Sequence, residues 1–369
     1  MSIIVKQANR LLNIQSLAIL LLLVCVYWPT WFHTTDLRII ILIFLAVLGF
    51  LQLVSREKLL LDRRTIVIAL LTVIFSLLMG SPLFLVALLV GYINQRVSRK
   101  NLFTYVLVWS TTIWLITVTL SLVGITHNLD FSKINSAGET ISRFALGFQN
   151  PNTAAIFLLP SLFSMYYLAK HKKPLQFAVK ILAIMVPVYL ATNCDSALII
   201  SICLVIINYL QSKTNRIDKA IKKILPYSVI LFAVISILIG VAFGQDRTGI
   251  GNEILSNRPY FINLRITDGS IINLFGNADN YGAINNNEHM IFPLDNLYIR
   301  ILVYGGIIAF FIMFATIRYG SNHVANAMER TIILLILVHG IIEYPALVLL
   351  LLIIVLIITK LPKSEWKLE

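Results

Sequence analysis

Charge is what this sequence has least of. Asp, Glu, Lys and Arg make up 13% of its 369 residues, about half the share of an ordinary soluble domain, too little polar surface to cover a water-soluble globule. Cysteine is nearly as scarce. Cys25, Cys194 and Cys203 are odd in number and lack C-x-x-C spacing, which leaves no disulfide framework and no thiolate metal site. No H-E-x-x-H, P-loop or strand-to-helix GxGxxG occurs, so zinc, ATP and dinucleotide chemistry are not indicated. No metal and no cofactor is expected. Repeats are missing too, which removes solenoid and propeller architectures.

What the chain has in quantity is apolar residues, at 58%, with a mean hydropathy of +0.86. A hydrocarbon core of ~30 Å needs ~20 such residues in a helix. Eight runs meet that length or come near it: Ile14–Phe32, Ile39–Val54, Leu102–Gly124, Thr153–Ala169, Phe177–Thr192, Ser196–Leu210, Leu225–Phe243 and Asn296–Ile317. Two longer stretches, Thr65–Ile93 and Thr331–Thr359, are interrupted by Gly80-Ser81-Pro82 and by Glu343-Tyr344-Pro345. Basic residues flank both ends of the first of these (Arg56, Lys58, Arg63 and Arg64 before it; Arg96, Arg99 and Lys100 after it), which predicts a hairpin of two short helices. The second is read by analogy.

The expectation is an all-α polytopic membrane protein of about twelve helices, one integral-membrane domain over residues 1–369, with N- and C-termini cytoplasmic. The first span lacks a small-residue cleavage site and ends in Trp28-Pro29-Thr30-Trp31-Phe32, so it reads as a retained signal anchor. The net charge of +13 fits this topology. Segments assigned to the cytoplasm hold 22 Lys and Arg against 6 acidic residues, and outer segments hold 6 against 11. The positive excess is a topology signal, and nucleic acid loses its only support as a partner.

Two outer segments are long, residues 125–152 and residues 244–295 between spans nine and ten. Long connections of that kind carry function more often than short ones. The larger contains the apolar runs Pro259–Leu264 and Ile271–Phe275, which predict helical pieces lying at the outer interface. Its nine Asn and five Tyr or Phe suit carbohydrate, and equally suit turns.

The few outer arginines stand against the positive-inside rule. Arg258 and Arg265 are two helical turns apart, spacing that suits either a phosphate, which guanidinium meets with paired hydrogen bonds, or surface ion pairs with Glu253 or Asp268. Asn150-Pro151-Asn152-Thr153, Asp195-Ser196 and Asp295-Asn296 precede spans that run inward; they read as helix caps whose free N–H groups also favour an anion. Arg300 forms a polar stripe with Asn296 and Tyr304, at a depth where charge needs a partner or must snorkel. Lys180 reads as snorkelling. His339 and Glu343 are four apart near one span end, a spacing that suits proton transfer, and His289 is a further candidate base.

The order of these features resembles the integral-membrane polymerases of the Wzy-dependent pathway, which share an architecture with O-antigen ligases. Arg143-Phe144-Ala145-Leu146-Gly147-Phe148-Gln149-Asn150-Pro151-Asn152-Thr153 is similar to that family's arginine, glycine-aromatic and Asn-Pro-Asn-Thr element. Arg258 followed by Leu274-Phe275-Gly276-Asn277 resembles its large-loop arginine and Leu-Phe-Gly turn; Asp295-Asn296-Leu297-Tyr298 looks like its Asp-Asn entry to the next span, where ligases usually carry His-Asn. Asp195-Ser196 departs from a Ser-Arg pair that many members have.

The resemblance implies a metal-independent glycosyltransferase of the bacterial cytoplasmic membrane. It would join undecaprenyl-diphosphate-linked oligosaccharide repeat units at the outer face, beside a flippase and a chain-length regulator, with membrane lipid around it. Arg143, Asn150, Asn152, Arg258, Arg265, Asn296 and Arg300 are then expected at the diphosphate and glycan, and Asp295, Glu343 or His339 at the acceptor hydroxyl. The alternatives are an O-antigen ligase-type transferase and a lipid-linked oligosaccharide flippase or other transporter; a carrier is expected to show repeated halves with a site at the bilayer midplane.

Overall fold

A computed structural model of the chain describes residues 13–31, 44, 63–95, 97–126, 130–134, 140–169, 173–246, 255, 257–267, 269–276, 295–324, 326–343 and 347–358. The expected span Ile39–Val54, apart from Phe44, lies outside the described residues, as do His289, Glu253 and Asp268. The structure is mostly helical. Among the described residues six helices are long and apolar enough to cross a membrane: Arg99–Leu122, Pro151–Ala169, Pro174–Thr192, Asp195–Lys213, Arg216–Phe243 and Leu297–Asn322. This is consistent with a multi-pass membrane protein.

Both overlong apolar stretches are two helices each, and they break where glycine, proline and charge interrupt them. α2 (Arg63–Leu78) gives way to α3 (Leu83–Ile93), and α13 (Ala327–Ile342) to α14 (Leu347–Ile358). The chain forms two units, one of residues 1–62, 86–218 and 346–369 and the other of residues 63–85 and 219–345; one boundary falls in the first turn of α3 and another in the break between α13 and α14.

In the first unit, α4 (Arg99–Leu122) starts at Ser98, whose side chain accepts from the Asn101 N–H. It packs against α1 (Ile14–Trp31) and α6 (Leu159–Ala169). Polar contacts cross these seams: Trp109 Nε1 donates to Ser16 Oγ at 2.7 Å, Ser110 and Ser161 hydroxyls meet at 2.6 Å, and Trp114 Nε1 donates to the Ala154 carbonyl at 2.8 Å. Such bonds hold apolar helices together where lipid supplies no hydrophobic drive. The expected span Thr153–Ala169 is divided into α5 (Pro151–Ile156) and α6, because Pro160 has no N–H to give to Ile156. α7 (Pro174–Thr192) and α8 (Asp195–Lys213) pack side by side.

One local departure from an all-helical chain lies in the first long loop. Asp130–Ile134 (β1) pairs antiparallel with Thr140–Phe144 (β2), Phe131 facing Arg143. Burial along β2 alternates at the period of a strand, with Ile141 and Arg143 half-buried and Thr140, Ser142 and Phe144 exposed.

The second unit takes up the chain again at Lys219, within the basic helix α9 (Arg216–Ile224), which leads through a 3₁₀ turn into α10 (Ser228–Phe243). Gly240 and Gly244 open a groove on that helix. α11 (Arg258–Thr267) lies in it, with Ile262 against Gly240 and Asn263 against Gly244; a Cβ on either glycine would collide with these neighbours. Small residues four apart permit this close approach, so α11 is packed on a helix wall and not simply spread on the interface. α12 (Leu297–His323) completes the core: Ile299, Val303 and Tyr304 meet Ile262 of α11. It is interrupted at Gly306, whose φ of 74° is not helical.

Candidate functional site

The second unit gathers Arg258, Asp295, Asn296, Arg300, His339 and Glu343. Arg258 opens α11, with Pro259 in the first turn where its missing N–H costs nothing. Its guanidinium donates to Glu343 Oε1 at 2.8 Å and lies 3.7 Å from Asp295 Oδ2. A further N–H reaches the Leu255 carbonyl at 3.4 Å, and Nε has no hydrogen-bond partner among the described residues. The Arg258 and Glu343 side chains are 16% and 7% exposed, so this is a desolvated pair, whereas Asp295 is 34% exposed. Of the ion pairs weighed from the sequence, those with Glu253 or Asp268 lie outside the described residues; among the described ones Arg258 meets two carboxylates distant in the chain.

Asp295 and Asn296 divide the work at the entry to α12. Asn296 is buried, and its side-chain oxygen accepts from the Tyr298 and Ile299 N–H groups while its nitrogen donates to Ser236 Oγ at 2.8 Å and the Ile341 carbonyl at 2.7 Å. It is a cap that also ties α10, α12 and α13 together. Asp295, one residue earlier, stays partly open. Burial pushes its carboxyl above the ordinary value, although Arg258 and Arg300 pull it down. Arg300 sits one turn into α12 and stacks over Tyr304 at 5.5 Å from the ring centre. The expected stripe therefore has three different parts: a cap, a cation and an aromatic support.

Glu343 ends α13, and its N–H closes the last turn on the His339 carbonyl at 2.9 Å. His339 is fully buried one turn below, and neither ring nitrogen has a hydrogen-bond partner among the described residues. Arg265 is on α11, two turns from Arg258. Among the described residues no three His, Cys, Asp or Glu side chains stand together as a metal-binding group.

The first unit holds the other predicted residues. Arg143, at the end of β2, donates from Nε to the Thr192 carbonyl at 2.8 Å and from its terminal nitrogen to Asn152 Oδ1. Asn150 caps α5, accepting from the Thr153 N–H at 2.8 Å and the Thr153 hydroxyl at 2.9 Å. The Asn-Pro-Asn-Thr element is thus a cap followed by an arginine acceptor. At α8 the expected cap moves by one residue: Cys194 is the N-cap and makes no side-chain capping bond, and Asp195 is inside the first turn, accepting from the Tyr189 hydroxyl at 3.2 Å.

Two parts of the second-unit site were missed by sequence reasoning. Ser236 supports Asn296 but looks like any small residue in an apolar span. The Gly240/Gly244 pair has the legible i, i+4 spacing of a close helix contact. Comparisons with protein-family models, with curated proteins and with solved structures give no match.

Proposed function

We propose that this chain is a polysaccharide polymerase of the Wzy type, a membrane glycosyltransferase that joins undecaprenyl-diphosphate-linked oligosaccharide repeat units. The observation that carries the reading is the Arg258 guanidinium held between Glu343 and Asp295, with Arg300 acting on the same Asp295, in a chain otherwise built of apolar helices. The topology proposed is twelve spans with both termini cytoplasmic, in the cytoplasmic membrane of a bacterium, which puts Arg258 at the outer face. Partners are the lipid-linked donor and acceptor, with a flippase and a chain-length regulator in the same pathway.

In this reaction an acceptor hydroxyl attacks the anomeric carbon of the donor glycan. The bond between that carbon and the diphosphate oxygen breaks, and undecaprenyl diphosphate leaves with the electron pair. The hydroxyl proton goes to Asp295, whose burial raises its proton affinity. Glu343 is less suited, being bonded to Arg258 and nearly covered; His339, buried below it, supports the pair. Arg258, Arg265 and Arg300 stabilise the departing diphosphate, as cations aimed at developing charge do. Arg143, Asn150 and Asn152 order the first long loop.

The test is glycan banding after deletion of the gene in the bacterium that encodes the chain. Single repeat units at the cell surface without long polymer are expected. Loss of even single surface units would favour a flippase, polymer retained on its lipid carrier would favour a ligase, and normal polymer would refute all three.

A further inference from the structure

The break in α12 is occupied by another part of the same unit. At Gly306 the helix leaves its regular path, and the N–H groups of Ile307 and Ile308, which a continuous helix would direct one turn back, donate instead to the carbonyls of Asn273 and Leu274 at 2.9 and 3.2 Å. Gly276 and Gly306 face each other backbone to backbone. A Cβ on Gly276 would collide with the Tyr304 carbonyl, and one on Gly306 with the Gly276 nitrogen and the Leu274 carbonyl. Both residues have left-handed φ values, 73° and 74°, which glycine alone adopts without cost.

The depth of this clasp follows from α12 itself. Arg300 and Arg318 bracket an uncharged run of apolar character, and each stacks on an aromatic ring, Tyr304 and Tyr227 respectively, as cations at a membrane boundary do. Gly306 is six residues beyond Arg300, or ~9 Å along a helix axis. The residues clasped there nonetheless present large apolar side chains outward: Ile272, Leu274 and Phe275 are 72%, 56% and 64% exposed. Irregular backbone at such depth is tolerated where its polar groups are satisfied by protein, and the bonds to Ile307 and Ile308 do that.

We propose that residues 269–276 form a re-entrant element whose backbone fills the break in α12 and whose Ile272, Leu274 and Phe275 side chains contact the acyl chains of membrane lipid. The helical piece expected over Ile271–Phe275 is a short 3₁₀ turn, Ser270–Ile272. The re-entrant placement does not depend on the polymerase reading.

The test places a nitroxide label at Phe275→Cys, and separately at Gln245→Cys just beyond α10, in a chain with Cys25, Cys194 and Cys203 replaced by Ala. The protein is reconstituted in phosphatidylethanolamine–phosphatidylglycerol vesicles. The label at 275 should collide with oxygen and lose collision with an aqueous nickel chelate, while the label at 245 meets the chelate. Equal nickel collision at both positions would overturn the proposal. Adding Gly276→Ala should release the segment and restore nickel collision at 275. Gly269→Ala, at the same kind of backbone angle (φ 72°) but with open space around it, should not. Unchanged collision at 275 in Gly276→Ala would show that the clasp does not hold the segment.

Discussion

Arg143 and Arg258 are both arginines of long loops, and the sequence gives them equal standing, yet the protein uses them differently. The hydrogen bonds that fix Arg143 run to a backbone carbonyl and a neutral amide, 49 and 9 residues away. Arg258 pairs with Glu343, 85 residues away, and with Asp295. The acceptors of the first do not titrate; those of the second do. The difference teaches that a loop arginine becomes a candidate reactive centre through the groups that meet it, and Arg258 is met by two carboxylates.

The largest effect is expected at Arg258. Arg258→Ala removes the charged partner of the covered Glu343, a change worth about 3–5 kcal/mol in buried pairs, and should abolish polymer in the glycan ladder. Replacing both partners, Arg258→Met with Glu343→Leu, should recover most of the thermal stability without any polymer. Recovery of polymer in that double variant would erase the distinction between the two arginines.

Arg143→Ala should affect polymer less, although each hydrogen bond lost from its charged group is worth about 1.5–3 kcal/mol of stability. It should lower Tm, with polymerisation falling in proportion to the folded fraction. Complete loss of polymer at unchanged Tm would place Arg143 at the substrate and make the two regions equivalent.

Acidity separates the regions in a further way. Asp295 has a raised pKa in the folded chain, so as pH falls through that value the folded state takes up a proton before the unfolded state does, and stability rises. Activity moves oppositely, because a protonated Asp295 accepts nothing. The acidic limb of the rate profile should therefore lie above the ordinary carboxylate value and vanish in Asp295→Asn along with most activity. An Arg143 variant should retain the limb where it is. The smallest effect expected is at Asn150→Ala, about 1 kcal/mol for a lost helix cap, read as a small shift in Tm; a large loss of polymer there would give the cap a role at the site.

The helices were legible because hydropathy dictates them: α4, α7, α8 and α12 fall on the expected runs, and the two overlong runs break at Gly80-Ser81-Pro82 and just after Glu343. The caps Asn150 and Asn296 were legible for the same local reason. What could not be read was long-range pairing. Nothing near Arg258 in the chain announces Glu343, and Thr140–Phe144, with Ser142 and Arg143 both polar, has no alternation that would mark a strand. The Leu-Phe-Gly turn was visible, but its meeting with Gly306 depends on backbone approach, which side-chain patterns do not encode.

The most direct test of the central claim uses the purified chain in vesicles supplied with undecaprenyl-diphosphate-linked repeat units. The account predicts glycans longer than one unit, one undecaprenyl diphosphate released per linkage formed, and neither product with Arg258→Ala. Repeat units that remain single, with no diphosphate released, by chain that is folded and correctly inserted would contradict it.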